Sequence, residues 1–75
     1  MKSTRRLRFE KVAAKRTQKI LDYLDSLSNC SNRVNYDYSE DDVKKMFKAI
    51  KEKVNASEAA FGNELAKKNK NQFKF

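Results

Sequence analysis

The 75-residue chain has no proline, histidine or tryptophan, and only one glycine and one cysteine. Each shortage excludes something. Without histidine the chain lacks the commonest general base near neutral pH and the commonest metal ligand. Gly62 alone cannot build a glycine-rich phosphate loop. Cys30 alone cannot close an internal disulfide, and a structural zinc needs four Cys or His ligands. No apolar run approaches the ~18 residues of a membrane span, and the basic N-terminus lacks the uninterrupted apolar core of a secretory signal. The expectation is a cytoplasmic protein that is not an enzyme, holds no cofactor or metal and contacts no membrane.

What is present is charge. Eighteen Lys or Arg stand against ten Asp or Glu, a formal net charge of +8, and 39% of the chain is hydrophobic. Folding at this length buries only roughly 60% of the open chain's surface, so one small domain spanning residues 1–75 has a marginal core. Long, well-packed helices or a second copy of the chain are the remaining aids. The charge is also ordered. Residues 1–21 carry +7, residues 22–42 carry −5 and residues 43–75 carry +6.

The first block predicts a helix from about Arg5 to Leu27. Phe9, Ala13, Ile20, Leu24 and Leu27, flanked by Val12 and Tyr23, fall on one side at 100° per residue. Arg8, Lys11, Lys15 and Lys19 form a basic stripe beside them, and Arg16 projects into the apolar side. An unpaired charge there is costly, so Arg16 is expected to pair with Asp41 or Asp42, or to lead out past Tyr23. The Ser/Asn-rich segment 28–37 predicts a succession of turns, because these side chains compete for backbone hydrogen bonds. Val34, Tyr36 and Tyr38 alternate, which permits a short extended stretch. Cys30 reads as a small, buried or half-buried loop residue.

The second helix begins at an N-cap, Ser39, with Glu40, Asp41 and Asp42 against the positive end of the dipole. Asp42 stands where a capping box prefers Glu, and Tyr38 with Val43 fits a hydrophobic staple. These carboxylates, with Asp37, are explained by that position and not by catalysis. Val43, Met46, Phe47, Ile50, Val54, Phe61 and Leu65 then follow a 3–4 repeat, with Lys44, Lys48 and Lys51 on another face. Asn55-Ala56-Ser57 is a candidate interruption and Gly62 a candidate end, so the helix spans 39–54 or beyond, with a possible third helix over Ser57–Lys68. Residues 67–75 read as a frayed basic tail.

The fold class expected is all-α: a long antiparallel helical hairpin with an ordered Asn/Tyr-rich connection, dimerising into a four-helix bundle. The competing architecture is ribbon-helix-helix, because Leu7 and Phe9 alternate with Arg6 and Arg8 as a short strand would. The long connection and the unbroken helical register from Phe9 argue against it.

The string from Asn29 to Val43, Asn-Cys-Ser-Asn-Arg-Val-Asn-Tyr-Asp-Tyr-Ser-Glu-Asp-Asp-Val, follows Lys15-Arg16-Thr17-Gln18-Lys19-Ile20-Leu21. Together they resemble small basic proteins of bacterial phages, plasmids and conjugative elements, mainly of Gram-positive hosts, over about residues 5–54. The resemblance implies mobile-element biology, in which small proteins bind nucleic acid or inhibit host machinery. It assigns no residue a role.

The candidate nucleic-acid-binding residues are therefore read from the chain itself. Arg8, Lys11, Lys15 and Lys19, with Arg5 and Arg6 nearby, could follow a phosphate backbone and release its counterions. The plainer reading of such a stripe is a solvated helix face; the net charge and the scarcity of acids in residues 1–21 favour DNA or RNA. Arg33, Asn35 and Tyr36, with Tyr38, could read or stack on bases, though turn-forming and hairpin-capping roles are the favoured reading, since the staple already gives Tyr38 a structural task. The alternative function is an inhibitor or adaptor that binds a host protein or a ribonucleoprotein, for example an anti-CRISPR factor.

Overall fold

The computed structural model describes residues 2–70. Within them the chain is all-helical, with no strand: α1 spans Thr4–Ser28, a 3₁₀ turn covers Asn29–Ser31, and α2 spans Glu40–Lys70. The chain divides into two compact units, Met1–Asp37 and Tyr38–Phe75.

In the first unit, Ser3 caps α1. Its hydroxyl accepts from the Arg6 N–H at 3.1 Å and its carbonyl accepts from the Leu7 N–H at 3.0 Å. The first turn therefore forms without an acidic residue in it. With 25 residues α1 is about 37 Å long. Leu7, Arg8 and Phe9 lie inside it, which removes the ribbon-helix-helix alternative. Alternation over four residues is too short a signal to outweigh a 3.6-residue register that runs on for six turns.

The Ser28 hydroxyl donates to Leu24 O at 3.0 Å, and the 3₁₀ turn tightens the helix end. Asn32 then organises the chain. Its side-chain oxygen accepts from the Val34 N–H at 3.0 Å, and its carbonyl accepts from Asn35 at 3.2 Å and Tyr36 at 3.0 Å. The expected run of turns is present. Cys30 is exposed, contrary to the buried or half-buried placement expected of it. A one-turn 3₁₀ segment brings too few neighbours to cover a side chain.

In the second unit, α2 opens on a reciprocal cap. The Asp42 N–H donates to the Ser39 hydroxyl at 3.2 Å, and the Ser39 N–H donates to an Asp42 carboxylate oxygen at 2.9 Å. Aspartate thus completes a box that usually takes the longer glutamate. Tyr38 and Val43 are both half-buried, as a staple across this cap requires. The helix then runs unbroken through Asn55-Ala56-Ser57 and Gly62 to Lys70. No described residue has a positive φ, so Gly62 is ordinary helix and not a terminator. One glycine costs about 1 kcal/mol against alanine, too little to stop a helix with alanines at 56, 59, 60 and 66. Residues 67–70, expected to fray, are helical; Phe73 and Phe75 lie outside the described residues.

None of the described residues is buried. Glu10, Ala13, Leu24 and Leu27 on α1, and Val43 and Ile50 on α2, are half-covered. Phe47 remains 39% exposed and Phe61 60%.

Two outcomes follow from these local arrangements. The hydrogen bonds from Ser39, its backbone N–H first and its hydroxyl second, hold the Asp42 carboxyl below its ordinary pKa. The stabilisation is complete above the unfolded-state value of about 3.9 and is lost as pH falls through the lower folded value. Carboxyl-resolved NMR should show that depressed titration, and Ser39→Ala should return it towards the ordinary range while the first turn of α2 frays. Gly62→Ala should strengthen α2 by about 0.5–1 kcal/mol, because nothing lies within 4 Å of the added methyl group. Thermal melting followed by circular dichroism reads it directly.

Candidate nucleic-acid interface

Helical geometry decides which basic residues act together. At 100° per residue, Arg8, Lys11, Lys15 and Lys19 fall within an arc of about 80° and extend over about 16 Å of α1. Lys11, Val12, Lys15, Arg16 and Lys19 line a shallow open groove of about 340 Å³ along this side. Arg16 had been expected to pair with Asp41 or Asp42 or to lead out past Tyr23; within its own unit it is exposed and shares the groove with three lysines. The reason is local: a half-wet helix face lets a long side chain keep its charge in water, so no partner is required. Arg16 is the groove residue that sequence reasoning omitted, and its one-residue offset from Lys15 was the available signal.

Arg6 belongs elsewhere. It lies about 140–180° around the helix from the residues of the stripe. Its Nε is 3.3 Å from Glu10 Oε1, and its guanidinium sits 5.5 Å from the centre of the Phe9 ring. Lys2 Nζ completes the cluster at 2.7 and 2.9 Å from the two Glu10 oxygens. The single acid of the N-terminal block is thus held by two cations on the far side of the helix and does not dilute the stripe. Arg5 lies at the stripe's edge, towards the apolar face.

Arg33, Asn35 and Tyr36 are in the turn beyond α1. Lys19 is nine residues from the end of the helix, about 14 Å along its axis, so these residues and the stripe form two groups rather than one patch. Val34 is 91% exposed and Tyr36 about half exposed, so the turn offers an open surface. Tyr38 belongs to the start of the second unit.

The chemistry available on this surface is electrostatic. Four cations in one groove, with no carboxylate among its lining residues, attract an anionic polymer. Among the described residues no group of three Cys, Asp or Glu side chains is placed to hold a metal ion, and no helix is long and apolar enough to cross a membrane. No family model, curated protein or solved structure matches this chain.

The angular separation makes a direct test. If the stripe holds a nucleic acid, Lys15→Gln should weaken its binding severalfold at low salt, while Arg6→Gln should change it little. Paired fluorescence-anisotropy titrations of the two variants compare them at equal net charge.

Proposed function

We propose that the chain is a nucleic-acid-binding protein of a mobile genetic element that engages a phosphate backbone along one face of α1. The observation that carries this reading is the groove lined by Lys11, Lys15, Arg16 and Lys19, continued by Arg8 along the same face. Each cation that neutralises a phosphate releases condensed counterions, so a stripe of four to five gives useful affinity without a shaped cavity. The chain's net +8 adds long-range attraction and speeds encounter.

A second element of the reading is association. No described side chain is buried, and Phe9, Ile20, Phe47 and Phe61 stay well exposed. Fully burying a large apolar side chain contributes roughly 1.5–3 kcal/mol, much of which these four forgo in water. We propose that the two amphipathic helices form an antiparallel hairpin and that two chains pair as a four-helix bundle. Two copies also double the number of phosphate contacts per complex.

An inhibitor or adaptor acting on a host protein or ribonucleoprotein is the second reading. The observation favouring it is the exposed apolar side of α1, where Ile20 is 57% and Tyr23 75% exposed beside the cations. Such a mixed face also suits a partner protein with an acidic rim.

Replacing Lys11, Lys15 and Lys19 together with Gln should leave helicity nearly unchanged, since the two residues have similar propensities. Affinity for DNA or RNA should fall, and the plot of log affinity against log salt should flatten by roughly 0.7–0.9 per lost contact. If the wild-type protein shows no salt-dependent binding to either polymer, the inhibitor reading takes its place. Sedimentation equilibrium at micromolar concentration should give twice the 8.8 kDa chain mass. An 8.8 kDa species whose melting is cooperative and independent of concentration would refute the dimer.

A further inference from the structure

The basic face of α1 stops abruptly. After Lys19 the next residue on its line is Asp22, three positions beyond Lys19 and seven beyond Lys15. Asp22 is the one carboxylate of α1 on this face, because Glu10 is held on the opposite side by Lys2 and Arg6, and Asp25 lies off the line. Asp22 Oδ1 accepts from Gln18 Nε2 at 2.9 Å, and Asp22 forms no salt bridge with Lys15 or Lys19 among the described residues. A hydrogen bond from a neutral amide leaves that carboxylate's charge in place on this side of the helix. The same hydrogen bond occupies Gln18, the amide side chain nearest the stripe and the one best placed on α1 to read a base edge.

We infer that Asp22 terminates the phosphate track: the site follows the backbone from Arg8 to Lys19, and the turn residues Arg33, Asn35 and Tyr36 read no base. This rests on the nucleic-acid reading and specifies its ligand as a phosphodiester backbone of any sequence. A phosphate continuing past Lys19 meets a carboxylate. At about 7 Å in water, two like charges weaken an association by about threefold. Asn35 and Tyr36 lie further still, beyond Asp22 and beyond the end of the helix. A backbone-only site has no sequence preference, because phosphate contacts position a protein and base contacts specify it.

The experiment uses the full chain and two unrelated duplex sequences of about 20 base pairs, each as DNA and as RNA. Asp22→Asn keeps an acceptor for Gln18 and has similar helix propensity, so circular dichroism should not change. It should bind both sequences about threefold more tightly at low salt, with the gain fading as salt screens the charge. Asp22→Lys should extend the track and steepen the salt slope by roughly 0.9. Tyr36→Ala should bind as the wild type does. Equal or weaker binding by Asp22→Asn overturns the inference, as does a loss on one sequence only with Tyr36→Ala. Absence of any salt-dependent binding by the wild-type protein overturns instead the reading beneath it.

Discussion

Both helices are fixed at their N-termini by one short-range device, a serine hydroxyl that accepts a backbone N–H three residues on. Ser3 does this for α1 and Ser39 for α2. With no buried side chain among the described residues, such local contacts define where each element begins. The cap sets the register, and the register sets which side chains share a face. Moving the start of α1 would not alter its angular pattern, but losing its first turn would release Arg6 and Glu10 from the cluster with Lys2.

The contacts that follow from the caps are also local. Glu40 and Lys44 approach to 3.9 Å, Glu64 and Lys67 to 2.9 Å, and Gln18 bonds Asp22 one turn on. Exposed pairs of this kind contribute only about 0.3–0.5 kcal/mol each, so they tune helices rather than assemble a core. The apolar faces hold the larger reserve of free energy, and it stays unspent while they are wet. This imbalance is the physical ground for the proposed association: the helices are specified locally, whereas their burial requires something more than one helix.

The parts legible in the sequence were those encoded by periodicity and by caps. Ser39 with three acids marks the start of α2 because hydroxyl and carboxylate groups answer the unsatisfied N–H groups and the dipole at that point. Asn32 and its neighbours announce turns for a similar reason. The end of α2 was not legible. Asn55, Ser57 and Gly62 each disfavour helix slightly, but these costs act singly and are outweighed by the surrounding alanines, lysines and glutamates. Nor was the fate of Arg6 or Arg16. Linear charge density groups Arg6 with Arg8, whereas helical angle sends it to Glu10 and Phe9. Arg16 needed a partner only if its face were buried, and burial depends on packing that local pattern does not encode.

A site built on one helix has a consequence for how binding and folding are linked. The cations from Arg8 to Lys19 repel one another at spacings of three and four, which opposes α1 in the free protein. On the proposed reading a bound phosphate backbone would remove that repulsion and favour the helical form, since only the helix gathers these charges into one arc. Ligand and helix would then stabilise each other by mass action. Glu10 is kept from the stripe by its helical angle: on the far side it pairs Lys2 and Arg6 and secures the first turns, while the stripe keeps its full charge. Stability at the N-terminus and attraction along the groove are thus separated by half a turn of helix.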